Sequence, residues 1–292
     1  MIIDCHFHVD ETMLTLEKMI EGMDQNGVNK TVLIAPMNET MFELDSRYQH
    51  NLQSFFRFLI LNVPQLGLPI YNGLVKEGYF NLYGSSYKIF SKPNNDIVAA
   101  AIERFSDRFL GWAAVNPLIP DSVDELESYI TNPGFIGVKA HPFMHQYSIK
   151  SLDQVAALCE TKGIPIIIHL SSEPYSYQYL PETYPKLKII YAHAGLPFWK
   201  KLWKYVKDKP NVYVDTSSDY LTPAIVKRAV NVLGYQKVLY GCDGPYGMQK
   251  FNEYDYSVKK NWVESLDIPD QQKEYILGKN FLALIGESPS EL

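Results

Sequence analysis

The first chemically informative feature of the sequence is a pair of histidines, His6 and His8, just after the apolar residues at the amino terminus. Residues two apart in a β-strand point to the same side, so both imidazoles can face one site. Neutral imidazole is the commonest protein ligand for zinc and its neighbours. A His-x-His pair is weak evidence by itself. It suggests a divalent metal site, and such a site would need further ligands from elsewhere in the chain.

Further polar side chains stand at equivalent places, each directly after a short apolar run. They are Lys139 after Ile136-Gly137-Val138, His169 after Ile166-Ile167-Ile168, His193 after Ile189-Ile190-Tyr191-Ala192, and Asp243 after Leu239-Tyr240-Gly241-Cys242. A single residue of this kind would be explained as a polar group at the end of a strand whose hydrogen bonds are satisfied. Because strand ends converge on one mouth of a barrel, the whole set predicts a common functional site there.

Eight short apolar runs must position these side chains along the 292-residue chain. They predict strands at residues 1–6, 31–35, 110–115, 135–140, 165–170, 187–192, 212–215 and 237–240. Nearly continuous apolar runs are typical of parallel strands buried on both faces. Amphipathic stretches between them, such as 152–161 and 223–233, indicate helices. We therefore predict a single α/β domain over residues 1–292, folded as a (β/α)8 TIM barrel.

An open doubly wound sheet is the alternative fold. It usually carries a glycine-rich turn after its first strand, and the first predicted strand here continues as Asp4-Cys5-His6-Phe7-His8 without glycine. Residues 38–98 do not fit the minimal barrel repeat and are too long for a plain loop. Their aromatic residues predict an inserted helical segment after the second strand, forming a lid over the mouth.

Composition excludes several functional classes. Hydrophobic residues make up 46 % of the chain, charged residues 21 %, and the formal net charge is −6 without a basic tail, so we expect no nucleic-acid partner. The apolar runs are too short to span a bilayer, and no signal-like segment opens the sequence. Three widely spaced cysteines indicate reduced thiols and predict a cytoplasmic protein. A homo-oligomer is left open.

The motifs together resemble a known family. The set Asp4-x-His6-x-His8, His169, His193 and Asp243 is similar to the amidohydrolase superfamily, in particular the amidohydrolase-related (amidohydrolase 2) branch of metal-dependent TIM-barrel hydrolases. Neighbouring strings agree: Gly137-Val138-Lys139-Ala140-His141-Pro142, Ala192-His193-Ala194-Gly195, Ile276-Leu277-Gly278-Lys279-Asn280, and Gly241-Cys242-Asp243-Gly244-Pro245, where Cys242 replaces the usual serine. The resemblance covers nearly the whole chain except residues 38–98.

The resemblance implies a ligand set for one divalent metal: His6, His8, His169 and Asp243. Three nitrogens and one oxygen favour zinc and would accept manganese, iron or cobalt. Asp243 would also accept a proton from a metal-activated water. His193 would act with it as a catalytic residue, bonding the water or polarising the scissile group, or would bind a second metal.

Lys139 has two interpretations. In binuclear relatives a lysine at this position is carboxylated and bridges two metals. Otherwise it stays cationic and binds a substrate carboxylate or the developing oxyanion. We favour one metal with Lys139 and His141, two residues further on, as substrate-binding residues.

The expected function is hydrolysis of a C–N or C–O bond in a small molecule, such as an amide, lactone or ester. The alternative is a metal-dependent decarboxylase or hydratase of a small carboxylic acid on the same site. Such lyases commonly use an arginine for the carboxylate, and no arginine stands at a predicted strand end. A non-enzymatic metal-binding protein would be expected to lose a ligand, yet none is missing. Fold and family do not determine the substrate.

Overall fold

A computed structural model describes residues 1–41, 47–246, 248 and 251–287, without the side chains of residues 47–50. The strands are β1 Ile3–His8, β2 Lys30–Ile34, β3 Val75–Lys76, β4 Tyr79–Leu82, β5 Ser85–Lys88, β6 Phe109–Val115, β7 Phe135–Ala140, β8 Ile166–Ile168, β9 Ile189–Tyr191, β10 Val212–Asp215 and β11 Val238–Leu239.

The α-helices among the described residues are α1 Leu16–Asn26, α2 Arg47–Asn62, α3 Pro64–Gly73, α4 Asp96–Arg104, α5 Ser122–Ile130, α6 Pro142–His145, α7 Asp153–Lys162, α8 Ser176–Thr183, α9 Trp199–Val206, α10 Pro223–Leu233, α11 Ser257–Glu264, α12 Asp270–Glu274 and α13 Asn280–Ile285. A π-helix, Tyr275–Lys279, joins the last two. None of the described helices is long and apolar enough to cross a membrane.

Eight of the strands form one parallel sheet in the order β1-β2-β6-β7-β8-β9-β10-β11. The sheet closes on itself after β11, because the Cys5 amide donates to the carbonyl of Tyr240 at 3.0 Å and the Asp243 amide donates to the carbonyl of His6 at 2.8 Å. Helices lie between the strands. The fold is therefore a (β/α)8 barrel, as the sequence predicts.

The predicted strands agree with the observed ones, with shifts at the ends. The largest shift is in β1, predicted over residues 1–6 and observed at Ile3–His8. All six residues of this strand are buried, so both histidines continue the strand into the barrel mouth. Strand β8 is shorter than the predicted 165–170, because the chain beyond Ile168 turns into the loop that carries His169.

Local sequence explains where the helices begin and end. The Thr222 side chain caps α10 by accepting from the Ile225 amide, and Pro223 occupies the first helical position, where no amide donor is needed. Helix α7 ends at Gly163, whose φ of 71° is in the left-handed region that glycine adopts readily.

Close packing of the barrel depends on Gly137 in β7. A Cβ at this position would lie 2.3 Å from the Pro165 carbonyl oxygen and 2.6 Å from the Trp112 ring. The Trp112 indole is fully buried and donates to the Cys5 carbonyl at 2.9 Å. Glycine therefore allows β7, β8 and the Trp112 ring to approach closely in the core.

The inserted segment contains helices α2 and α3, as predicted, and a small antiparallel sheet, β3-β4-β5, that is not predicted from the sequence. These strands are two to four residues long, too short for a clear alternating pattern. Gly78 and Gly84, both with positive φ, occupy the turns between them. Residues 42–46 of the predicted lid lie outside the described residues.

Candidate metal centre and active site

Three side chains from the two ends of the sheet form a compact cluster at the mouth. His6 Nε2 lies 3.4 Å from Asp243 Oδ1, and His8 Nε2 lies 3.7 Å from the same oxygen. Four tetrahedral ligands at 2.0–2.2 Å from zinc are about 3.3–3.6 Å apart. The spacing and donor types of this cluster therefore fit one divalent ion, and the His6, His8 and Asp243 donors all lie within 4.8 Å of one another.

Asp215, at the end of β10, determines which nitrogen His6 can offer. His6 Nδ1 donates to Asp215 Oδ2 at 2.8 Å, so the lone pair of the neutral ring is on Nε2, which faces the cluster. A carboxylate behind a metal-binding histidine commonly orients the ring in this way. Asp215 is not among the site residues predicted from the sequence, although it lies at the end of the predicted seventh strand, a position equivalent to that of the other site residues.

Asp215 also supports His193. Its Oδ1 accepts the His193 amide at 2.7 Å and the Ser217 amide at 3.1 Å. His193 has a φ of 56°, a left-handed conformation that is uncommon for residues other than glycine. The buried carboxylate thus holds an unusual backbone conformation at the mouth and a metal-site histidine at the same time.

Asp4 connects β1 with the segment after β11 that carries Asp243. Its Oδ1 accepts the amides of His6 and Cys242, each at 3.0 Å. Burial raises the pKa of Asp4 to about 7, against the lowering effect of these hydrogen bonds. Because it bonds backbone rather than the ligand side chains, Asp4 holds β1 beside the segment that presents Asp243.

His169 and His193 form the second half of the mouth. His169 Nδ1 lies 2.9 Å from His193 Nε2, and His169 Nε2 lies 2.8 Å from the hydroxyl of Tyr71 in α3. The described residues do not place His169 in the cluster of His6, His8 and Asp243. His193 links the halves, since its Nδ1 is 3.7 Å from Asp243 Oδ2. The assignment of His169 as a metal ligand stays a prediction.

Lys139 is fully buried beside the cluster, with Nζ 3.2 Å from His6 Nε2. Burial lowers the pKa of Lys139 to about 8, and the nearby Asp243 and Asp215 oppose this effect. His141 packs its ring on His169 at a centroid distance of 4.2 Å, and its Nδ1 accepts the Met144 amide at the start of α6. The substrate-binding roles of Lys139 and His141 stay predictions.

Burial makes the site histidines neutral. It lowers the pKa of His8 to about 3 and is the largest cause of the lowered pKa values of His6, His169 and His193. Neutral imidazole is the form that binds metals. Burial also raises the pKa of Asp243, which Lys139 partly offsets, whereas a neighbouring dication would favour the charged carboxylate.

A cavity of about 160 Å³ opens above these residues. His8, His141, His169, His193 and Asp243 form part of its wall. The inserted segment contributes mainly apolar and aromatic side chains to the opposite wall, among them Ile60, Tyr71, Leu74, Phe80, Leu82 and Tyr83. The residues of the candidate metal site therefore face a partly open, largely apolar space.

Comparison with known proteins identifies the family. A family model described as Amidohydrolase matches residues 3–286. The chain belongs to this amidohydrolase family. The resemblance drawn from the strand-end motifs is thereby confirmed, and the chain is a member of a family of metal-dependent enzymes that act on small molecules. No curated protein matches the sequence.

Solved structures share the fold of this chain at low sequence identity. An uncharacterised TIM-barrel protein from Bordetella bronchiseptica is 16 % identical, with a TM-score of 0.66 over 98 % of this chain and 99 % of that one. 4-Oxalomesaconate hydratase from Rhodopseudomonas palustris is 15 % identical, with a TM-score of 0.64 over 98 % and 96 % of the two chains. 2,6-Dihydroxybenzoate decarboxylase from Rhizobium is 16 % identical, with a TM-score of 0.57 over 98 % of both.

Proposed function

We propose that this protein hydrolyses a C–N or C–O bond, in an amide, lactone or ester, of an uncharged and largely apolar small molecule. The observation that carries the proposal is the charge of the cavity wall. Its ionisable carboxyl groups are Asp219 and Asp243, and no lysine or arginine lines it within the described part of the chain. Apart from a bound metal ion, such a wall offers a substrate carboxylate no cationic side chain to pair with, and burying an unpaired charge against apolar side chains is costly.

The nearby cation Lys259 does not change this argument. Its Nζ is 2.9 Å from Asp219 Oδ1 and donates to the Ser218 carbonyl at 2.8 Å. Lys259 is buried and lies outside the cavity wall. Its charge is therefore compensated by Asp219, and the pair leaves no free positive charge for a substrate.

Each residue at the mouth has a proposed role. His6, His8, His169 and Asp243 would hold one divalent ion, with zinc as the first choice. Such an ion lowers the pKa of a bound water to near 7. Asp243 accepts the proton of the attacking water. His193, whose Nδ1 is 3.7 Å from Asp243 Oδ2, would donate a hydrogen bond to the reacting group.

Decarboxylation or hydration of a small carboxylic acid is the second candidate. The observation that favours it is Lys139, a cation beside the cluster at 3.2 Å from His6 Nε2. A substrate carboxylate that reached this depth would meet a positive charge. Because Lys139 is fully buried and outside the cavity wall, we rank this candidate second.

The test is a paired substrate screen on the zinc-loaded protein. Neutral aryl esters, lactones and anilides form one panel, and aromatic and unsaturated carboxylic acids form the other. We expect turnover in the first panel, lost after chelation and restored by zinc. Carbon dioxide release or hydration in the second panel, with no turnover in the first, would replace hydrolysis by the lyase function.

A further inference from the structure

Tyr71 is the point where the inserted segment reaches the metal-site histidines. It lies near the end of α3, is 7 % exposed, and stacks on Phe143 at a ring-centroid distance of 4.2 Å. Its neighbour Asn72 accepts a hydrogen bond from Ser172, in the loop that follows β8. The end of α3 is therefore docked on the barrel by both apolar and polar contacts.

The hydrogen bonds of the Tyr71 hydroxyl determine the tautomer of His169. The hydroxyl donates to the Leu170 carbonyl at 3.0 Å, and its oxygen lies 2.8 Å from His169 Nε2. A phenol has one proton, and a carbonyl can only accept. If both bonds form, the proton between Tyr71 and His169 belongs to Nε2. The lone pair of His169 is then on Nδ1, which faces His193 Nε2 at 2.9 Å.

This arrangement parallels the one at His6. There Asp215 accepts a hydrogen bond from Nδ1–H of His6, on the side of the ring away from the cluster. This leaves Nε2 free to bind a metal. At His169 the hydrogen bond from Nε2–H is accepted by the neutral hydroxyl of Tyr71, which belongs to the inserted segment, instead of by a carboxylate of the barrel. In both cases a partner outside the cluster determines which nitrogen can act as a ligand.

We propose that Tyr71 is a positioning residue of the metal centre, which keeps the proton of His169 on Nε2 so that Nδ1 is its ligand atom. The inference rests on the proposed function in one respect, the role of His169 as a metal ligand. It makes the inserted segment part of the metal site as well as a wall of the cavity.

The experiment compares Tyr71→Phe with the wild type by zinc competition against a chromophoric chelator and by the visible spectrum of the cobalt-substituted protein. Phenylalanine keeps the ring that stacks on Phe143 and removes only the hydroxyl. We expect zinc affinity to fall by roughly 10- to 100-fold, the usual effect of losing such a partner, and the cobalt spectrum to change. Tyr79→Phe is the matched control, because Tyr79 belongs to the same segment, is 45 % exposed and should leave both readouts unchanged.

A double variant separates positioning from a general effect on folding. In a His169→Asn background the Tyr71→Phe change should cost no further zinc affinity, since the ring that Tyr71 positions is gone. An equal loss in both backgrounds, or a Tyr71→Phe protein with wild-type affinity and cobalt spectrum, would overturn the inference. These measurements need no substrate, so a failure to find hydrolysis is a separate result that leaves them valid.

Discussion

The barrel mouth and the inserted segment line the same cavity with different types of side chain. At the mouth, polar side chains from strand ends are held by buried carboxylates and backbone hydrogen bonds, as His6 and His193 are by Asp215. The inserted segment contributes apolar surface and one hydroxyl bonded to a site histidine, that of Tyr71. We therefore expect the barrel to carry the chemistry and the inserted segment to select what reaches it. Effects of substitutions should be large at the mouth and at Tyr71, and small elsewhere in the inserted segment.

The largest effect is expected from removing two ligands at once. His6→Ala with His8→Ala leaves Asp243 as the only member of the compact cluster. We expect the purified double variant to contain no stoichiometric metal by elemental analysis and to show no turnover. Full metal occupancy in this variant would show that the ligand assignment is wrong.

Asp243→Asn should reduce both metal content and activity. The amide keeps the shape of the carboxylate but loses its charge and its ability to accept a proton. We expect kcat to fall by roughly 10²–10⁴-fold, together with a lower metal affinity. Metal content and kcat are measured on the same preparation, with one substrate from the screen. Unchanged turnover would exclude Asp243 as the base.

His193→Asn separates one-metal from two-metal chemistry. With one ion, metal content stays near that of the wild type while kcat falls by roughly 10²–10⁴-fold, because only a catalytic imidazole is lost. Loss of half of a two-metal complement would instead support a binuclear site bridged by carboxylated Lys139. A variant that keeps both metal and activity would remove His193 from the mechanism.

Asp215→Asn tests the support behind the cluster. The variant keeps the size of the side chain but weakens the acceptor that places the lone pair of His6 on Nε2. We expect zinc affinity to fall by roughly 10- to 100-fold, measured by chelator competition. Asp208→Asn is the control, because no hydrogen bond connects Asp208 to the site among the described residues. Equal affinities in the two variants would contradict the role of Asp215.

The smallest effect is expected in the inserted segment. Leu82→Val removes one methylene from the cavity wall, which weakens the binding of an apolar substrate by about 0.8 kcal/mol. We expect KM to rise about fourfold, with little change in kcat. Leu66→Val, at an exposed position of α3, should leave KM unchanged. A large fall in kcat for Leu82→Val would mean that the inserted segment takes part in the chemistry.

Much of the barrel and its mouth could be predicted because the signals are local. Each strand is a short apolar run, and each mouth residue follows one, as His169 follows Ile166-Ile167-Ile168. The small sheet of the inserted segment could not be predicted in the same way, because β3 has only two residues and β4 and β5 have four each. Their pairing depends on contacts between strands rather than on a periodic pattern.

The sequence by itself determined the barrel, the family and the set of polar residues at the mouth, because apolar periodicity and strand-end position can be identified within a few consecutive residues. Only the tertiary structure decided how these residues support one another. Asp215 is 209 positions from His6, and Tyr71 is 98 positions from His169, yet each makes a hydrogen bond of 2.8 Å. Such partners are brought together by barrel closure and by the docking of α3, and no local pattern in the sequence records those contacts.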